Sequence, residues 1–457
     1  MLKTKLLGEI LGRNYKPSNE DSIQSEQVGN SGDAVVEIER LKAVHLDTMD
    51  IHALEQDIAI IEQEGAAADE LSEATTELTE IKAEIESYYE KGGMSASDAF
   101  HLNKRISYID RRLGYGLNLT MPSTESFRGN DADRMTLTAS LENAVWEKIK
   151  ELWKAFKDMM VRIFNKIKEF FGFGKKKASD AEEKLEKKAE ENKNKEGTGT
   201  LALPPPAATS LANVEKVEDI ATVDEESGKA VVKQGTEAKM IDAIENLCET
   251  TKKYLQGVEI KNLVSNLEKI VDAGMAKADS KQNPFGEDVI TYLELISKSY
   301  TGKELPKASS NEWKVSSDTL LGGYVINMSA KSDKANDKYT IPVLSATVDP
   351  VVEHNPKIKQ VELGSVECKA YATMAKKVAV VMSTVKMQFE NSEAAMDKYL
   401  KYIELIEQEV KDKDAKYANF ALAFTKFAGN AVKSHPAKSY CTKAIDFAVT
   451  YSSSFKG

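Results

Sequence analysis

Residues 145–171, VWEKIKELWKAFKDMMVRIFNKIKEFF, form the stretch that decides the fold of this chain. Their apolar side chains recur every three or four positions, and seven Lys and Arg residues occupy the other side. The pattern predicts one amphipathic helix of about 40 Å with a basic polar face. Charges at its middle, such as Lys154 and Arg162, exclude a helix that crosses a membrane.

Three roles for this helix remain open from the sequence. Aromatic side chains opposite Lys and Arg are typical of helices that lie on anionic membranes. The basic face would equally fit the acidic helices predicted at 34–113, and most amphipathic helices simply bury their apolar stripe in their own fold. The residues that would meet a membrane or partner are Trp146, Ile149, Trp153, Phe156, Met160, Ile163, Ile167, Phe170, Phe171, Lys175, Lys176 and Lys177.

Charge is unevenly distributed along the chain. Residues 1–142 carry 14 Lys and Arg against 27 Asp and Glu, a net charge of −13, whereas residues 143–177 carry 10 against 4, a net charge of +6. The basic island therefore coincides with the amphipathic helix. The net charge of −11 for the whole chain argues against specific nucleic-acid recognition.

The length of 457 residues predicts two or three domains. Three widely spaced cysteines indicate no disulfide framework, the N-terminus lacks the pattern of a secretion signal, and no apolar run is long enough to cross a membrane. We expect a disordered tail at 1–33, an acidic helical region at 34–113, a connector at 114–142, the basic amphipathic helix at 143–174, a charged and Pro-rich linker at 175–235, and a C-terminal domain at 236–457.

The predicted fold class is mainly α, with an N-terminal helical hairpin or bundle that includes the long amphipathic helix. The C-terminal domain is predicted to be α+β, with a small antiparallel sheet and a helical bundle. Residues 324–331 alternate as a strand, residues 338–348 return after a polar turn as an edge strand, and residues 357–363 offer a third strand. Residues 365–389 are apolar nearly all round, which predicts the buried central helix of this domain.

The sequence also predicts two local features. Ser95 and Asp98 have the spacing of a capping box, and Gly92-Gly93 should end the helix before it. The charged tract after residue 174 could extend as a helix or stay unfolded.

The sequence offers no catalytic residue, cofactor site or metal site. It contains no P-loop, GxGxxG, GxSxG, HExxH or paired CxxC motif. His45 and His52 could share a helix face, but they lack neighbouring residues at metal-ligand spacing. We therefore predict a protein that is not an enzyme and needs no cofactor.

Four segments in a fixed order carry a resemblance to a known family. They are Gly116-Leu117-Asn118-Leu119, the run Pro122-Ser123-Thr124-Glu125-Ser126-Phe127, Ser140-Leu141-Glu142, and the Trp/Lys/Phe-rich helix that ends in Phe170-Phe171. The order resembles the internal (inner-body or ejected) head proteins of giant phiKZ-like tailed bacteriophages. It extends over residues 34–174, with Thr120-Met121 as an insertion, whereas residues 236–457 are similar only in general character.

The resemblance implies a virion protein packed inside the capsid with other virion proteins. It also implies delivery with the genome into the host cytoplasm and maturation by a prohead protease that cuts after Glu in Ser/Ala-x-Glu. The matching connector sites are Ser123 to Glu125 and Ser140 to Glu142. Cleavage after Glu142 would remove a piece of net charge −13 and free the basic helix.

Two alternatives to this reading follow from the residues themselves. One is a membrane-active factor that acts on an anionic membrane surface through residues 145–171. A weaker one is an enzyme of unrecognised type in residues 236–457.

Overall fold

The computed structural model describes residues 32–113, 119, 122–224, 226–257, 263, 286–306, 312–331, 343–352, 355–412 and 429–457. Residues 1–31 of the tail predicted at 1–33 fall outside these residues, whereas residues 32 and 33 are helical. Most of residues 263–271 and 416–433, where apolar spacing in the sequence predicts further helices, also fall outside them. The chain divides into two compact units. The first unit comprises residues 1–43 and 73–152, and the second comprises residues 44–72 and 153–457. The predicted mainly α class is confirmed.

Helix α1, Gly32–Ser87, is a single helix of 56 residues. The apolar residues at 35–44, 54–61 and 71–88 predict three successive helices from the sequence alone, and that prediction is wrong. No proline interrupts this stretch, and Gly65 is its one internal glycine, which costs a helix only about 1 kcal/mol. After a 3-10 turn at Tyr89–Lys91 the chain leaves the helix through Gly92 and Gly93, both with positive φ, as predicted.

Helix α2, Ala96–Leu113, completes the described N-terminal part of the first unit. The predicted capping box is confirmed, because the Ser95 amide donates to Asp98 Oδ2 at 3.0 Å and the Asp98 amide donates to Ser95 Oγ at 3.2 Å. Its apolar face, at most 3% exposed, consists of Leu102, Ile106, Ile109 and Leu113.

Helix α3, Asp131–Asn192, is a helix of 62 residues that contains the predicted amphipathic segment. A 3-10 helix, Thr124–Arg128, precedes it. The prediction of an extended connector is therefore wrong for residues 131–142. Asn130 Oδ1 accepts from the Asp133 amide at 2.9 Å, and this cap starts the helix early.

The sequence left open whether the charged tract after residue 174 is helical or unfolded. In the structure the tract is helical as far as Asn192. Residues Ala178, Ala181, Leu185 and Ala189 are at most 1% exposed and lie three or four positions apart. This small-residue stripe gives the tract a buried face, so it is not solvated all round.

Three strands of a four-stranded sheet lie in the region predicted to be a linker, and the linker prediction is wrong. Its elements are β1 (Thr198–Leu203), α4 (Pro205–Ala212), α5 (Val217–Ile220), β2 (Ala221–Asp224) and β3 (Lys229–Val232). Proline fits the first turn of a helix, where its missing amide would have no partner, and both prolines of α4 are buried. The sheet is completed by β7, Gln360–Glu367, in the order β1-β7-β3-β2, with β3 and β7 parallel.

A second, three-stranded antiparallel sheet has the order β4-β5-β6. It follows α6 (Glu237–Gly257) and α7 (Gly286–Thr301), and its strands are β4 (Glu312–Ser316), β5 (Tyr324–Lys331) and β6 (Val343–Pro350). The predicted pairing of residues 324–331 with a following edge strand is confirmed. The third strand was predicted wrongly, because residues 360–367 join the other sheet and β4 takes that place.

Helices α8, Cys368–Asp412, and α9, Ala437–Ser453, complete the described second unit. The helix predicted at 365–389 begins only at Cys368, because residues 365–367 belong to β7. It continues without a break through residues 392–412, for which the sequence pattern predicts a separate helix. The predicted central helix is buried as expected through Tyr371, Ala375, Val378, Val381, Met382, Val385 and Phe389, each at most 2% exposed. Val380 and Met387 are exposed, so its apolar face does not extend all round.

Candidate functional site

From Trp153 onward, the apolar face of the predicted amphipathic helix lies inside the second unit. We call residues 153–177 of α3 the basic segment. Its buried side chains, at most 7% exposed, are Trp153, Phe156, Met159, Met160, Ile163, Phe164, Ile167, Phe170 and Phe171. Burying each of these large side chains stabilises the fold by about 1.5–3 kcal/mol. The surface that a membrane would need is thus part of the core of this unit.

Trp146 and Ile149, which were also predicted to meet a membrane or partner, lie earlier in the same helix and belong to the first unit. Ile149 is 3% exposed, whereas Trp146 is partly exposed. The Nζ atoms of Lys82 and Lys150 lie 5.5 and 5.8 Å from the centroid of the Trp146 ring. This cation–π arrangement gives Trp146 a partner within the chain.

Helix α8 supplies the aromatic neighbours of the basic segment. The Phe389 ring lies 6.0 Å from the Phe170 ring and 5.8 Å from the Phe171 ring, measured between centroids. A Cβ atom at position 174 would come within 2.7 Å of Phe389 Cζ. Gly174 therefore permits the close approach of α3 to Phe389.

Acidic residues of two helices neutralise part of the basic polar face. One partner comes from α1 and two come from α8, so the acidic N-terminal region shares this role with the C-terminal helix. Such partly exposed ion pairs contribute about 0.2–1 kcal/mol each, so apolar burial holds the segment more strongly than charge does. The pairs are Lys166–Glu64 at 2.5 Å, Lys168–Asp397 at 2.6 Å and Lys175–Glu390 at 2.9 Å.

The remaining cations of the predicted Lys run have different surroundings. Lys177 Nζ lies 4.0 Å from Asp180 Oδ2 and 5.4 Å from the Phe173 ring centroid. Lys176 is exposed. The Lys run therefore does not act as one uniform patch.

The two predicted cleavage sites lie in different surroundings. Ser123 and Glu125 are exposed, and Glu125 lies in the short 3-10 helix, where its carboxylate contacts only the exposed Arg128 among the contacts described, at 2.9 Å. Buried Phe127 anchors this segment.

Ser140 and Glu142, by contrast, lie inside α3. The Tyr89 hydroxyl donates to Glu142 at 2.7 Å, Lys82 contacts it at 3.1 Å, and Leu141 is 1% exposed. Proteases bind extended chain, so this second site requires local unfolding of the helix.

A buried Ser–His pair was missed by the sequence analysis. Ser299 Oγ and His435 Nε2 lie 3.0 Å apart, and the Ala437 amide donates to His435 Nδ1 at 3.1 Å. Because Nδ1 accepts, the proton of the neutral ring is on Nε2, which donates to Ser299. That nitrogen has no lone pair with which to activate the serine hydroxyl. The only sequence signal for this site was the His435-Pro436 helix break.

Burial explains the charge state of this histidine. Desolvation, with a further contribution from Lys438, lowers the pKa of His435 to about 3. The imidazole is therefore neutral at physiological pH and serves as a hydrogen-bonding core residue.

Two further observations concern the described part of the chain alone. Within it, no three His, Cys, Asp or Glu residues come together as metal ligands. None of its helices combines the length and apolarity needed to cross a membrane.

Comparison with known families identifies the chain. The family of phiKZ-like phage internal head proteins matches residues 56–434, and the chain belongs to this family. The match confirms the resemblance carried by the connector and the amphipathic helix, and it reaches far into the C-terminal half. No curated protein and no solved structure matches the chain.

Proposed function

We propose that this internal head protein is a non-enzymatic component of the capsid interior, matured by the prohead protease after Glu125 and ejected into the host with the genome. Family membership supports the location in the virion interior and an association with other virion components. The observation that carries the maturation step is the exposure of Ser123 and Glu125 in a short 3-10 segment between helices.

The site at Glu125 is easier to cleave than the site at Glu142, because fewer contacts must be broken before the chain can enter a protease cleft. Glu125 must give up one exposed ion pair, with Arg128, and its short 3-10 helix must open and release buried Phe127. Glu142 must leave a continuous helix, the Tyr89 hydroxyl and Lys82. Both sites match the cleavage motif in the sequence. We assign the cut to Glu125 and not to Glu142.

Cleavage after Glu125 has a simple electrostatic consequence. Residues 1–125 carry 12 Lys and Arg against 24 Asp and Glu, a net charge of −12. The remaining residues carry 50 against 49, a net charge of +1. Maturation would thus convert an acidic chain into a nearly neutral one and divide its acidic and basic parts.

The cut alone does not release the acidic part. Leu54 and Ile61 of α1 are fully buried within the second unit, and Glu64 contacts Lys166 there. The cleaved piece would be held non-covalently, and dilution after ejection would favour its loss.

Intact-mass measurement of the protein from purified particles tests the maturation step. We expect a chain that begins at Ser126, and Glu125→Gln should abolish this species. The matched control, Glu142→Gln, should leave it unchanged. A particle-derived chain that begins at Met1, or one that begins at Asn143, would contradict the assignment.

The alternatives fit the geometry less well. A membrane-active role through residues 145–171 requires the buried face of the basic segment to leave the second unit, so it would apply only after processing and dissociation. An enzyme in residues 236–457 remains the weaker alternative, because the Ser299–His435 pair has the proton on the wrong nitrogen for base catalysis.

A further inference from the structure

In the described part of the chain, three of the four edges of the two sheets are protected against pairing with another chain. Along β1, the amide of Thr200 donates to the carbonyl of Lys456 at 2.8 Å, and the reverse bond is 2.9 Å. Strand β2 has only four residues and ends at Asp224. Strand β4 has five residues and carries Glu312 and Lys314. Coverage, shortness and charge are the usual ways in which proteins keep a sheet edge from pairing.

Strand β6 carries such protection only at its C-terminal end, where Asp349 and Pro350 follow residues 343–348. It has eight residues, all paired with β5, and in the described part of the chain its other edge has no strand beside it. Residues 343–348 are uncharged, and Val343 is 75% exposed. An edge of this length presents a row of free amides and carbonyls to a further strand.

The two faces of β6 continue the two faces of β5. Leu344, Ala346 and Val348 lie opposite buried β5 residues and are themselves only partly buried. Ser345 and Thr347 are exposed on the other face. A strand added at this edge would cover the partly buried row and extend the core of the sheet.

Residues 344–348 of β6 are nearly symmetric about Ala346, whereas the next pair outward, Val343 and Asp349, does not match. In an antiparallel pair centred there, Leu344 lies opposite Val348, Ser345 lies opposite Thr347, and Ala346 lies opposite itself. Aliphatic side chains meet aliphatic ones and hydroxyls meet hydroxyls, which is favourable pairing on both faces. A strand that complements itself in this way fits a two-fold axis between identical chains.

We infer that β6 pairs antiparallel with β6 of a second copy of this chain, around a two-fold axis at Ala346. The two three-stranded sheets then form one continuous sheet. A single strand pair buries little area, so we expect a dissociation constant in the micromolar range. The self-complementary register favours a second copy over a strand of unrelated sequence.

Cysteine cross-linking of the full chain tests the register. At the two-fold axis, Ala346→Cys would place two thiols directly opposite each other, at a Cβ distance of about 4.5–5.5 Å whose lower end meets the range that a disulfide spans. The native cysteines are at most 4% exposed, so they should not form cross-links themselves. Val348→Cys is the matched control, because its copies lie four residues out of register and should not cross-link.

The double variant Leu344→Cys with Val348→Cys should restore cross-linking, since these positions face each other across the axis. Absence of a disulfide dimer for Ala346→Cys, or equal cross-linking of Ala346→Cys and Val348→Cys, would overturn the inference.

Sedimentation velocity of variants tests the same interface without a covalent bond. Ser345→Lys adds an edge charge and should weaken dimerisation about tenfold. Ser329→Lys changes the residue paired with Ser345 on the interior strand β5 and should leave the dimer unchanged. A wild-type chain that is monomeric at hundreds of micromolar, or a dimer insensitive to Ser345→Lys, would show that β6 is not the interface.

Discussion

At the scale of single residues, Gly172 and Gly174 occupy the same helix but meet opposite surroundings. An added Cβ meets nothing within 4 Å at Gly172, whereas at Gly174 it comes within 2.7 Å of the Phe389 ring. Gly174→Ala should lower the free energy of unfolding by about 1–3 kcal/mol, because the close contact forces α3 or Phe389 to move. Gly172→Ala should raise it by about 0.5–1 kcal/mol, because alanine loses less backbone entropy in a helix.

Urea denaturation of the two variants beside the wild-type chain measures this difference. The two substitutions are chemically identical, so each controls for the other. Equal effects of the same sign would show that α3 does not pack against Phe389 as described.

His435 should make the stability depend on acid. Its folded pKa of about 3 lies below the ordinary value of 6.5, so the unfolded chain binds one more proton between these values. The contribution of His435 to the free energy of unfolding is fully present above pH 6.5. It falls by about 1.4 kcal/mol per pH unit as the pH drops toward 3.

His435→Asn is the matching variant for this acid effect. Asparagine can accept from the Ala437 amide as Nδ1 does, yet it does not titrate. Unfolding midpoints measured from pH 4 to pH 7 should show a shallower slope for the variant. Parallel slopes would mean that His435 is protonated without cost in the folded chain.

Contacts between residues close in sequence could be predicted, whereas contacts between distant residues could not. The Ser95–Asp98 box involves residues three apart, so its geometry follows from the start of one helix. The Ser299–His435 contact joins residues 136 positions apart, and no local pattern encodes such a meeting.

At the scale of elements, the sequence predicted helices well and their ends poorly. The separate helices expected within α1 and within α8 are continuous. Residues 44–72 and 73–87 of α1 belong to different units. A helix that changes its packing neighbour also changes its buried face, so an interrupted apolar stripe does not mark the end of a helix.

Strands were harder to predict than helices for a related reason. Strand β5 alternates along eight residues and pairs with the next described strand in the chain, so its pattern was visible. Strands β2 and β3 have four residues each, and β3 pairs with β7, more than a hundred positions away. Short strands in non-local pairs carry too little periodicity to be distinguished from a linker.

At the scale of the whole molecule, the three cysteines report on the integrity of the second unit. Cys248 lies in α6, Cys368 begins α8 and Cys441 lies in α9, and each is at most 4% exposed. Burial raises the pKa of Cys248 and Cys441 to about 12. The native chain should therefore react very slowly with a thiol reagent near pH 8.

Three single-cysteine variants make this test specific. If the second unit opens cooperatively, the three thiols should react at similar rates that rise together with denaturant. Much faster labelling of one thiol would mean that its helix opens independently of the rest.

The sequence by itself determined the mainly α fold class, the apolar periodicity and basic charge of residues 145–171, and the family resemblance carried by the connector motif. These are properties of neighbouring residues, because periodicity, charge and motifs are local. Only the tertiary structure decided that the apolar face of the basic segment lies in the core of the second unit, with acidic residues of α1 and α8 beside its lysines. The structure also showed that Glu125 is exposed, whereas Glu142 lies within a helix and accepts a hydrogen bond from Tyr89. Burial depends on which distant segments meet, and local sequence does not encode those meetings.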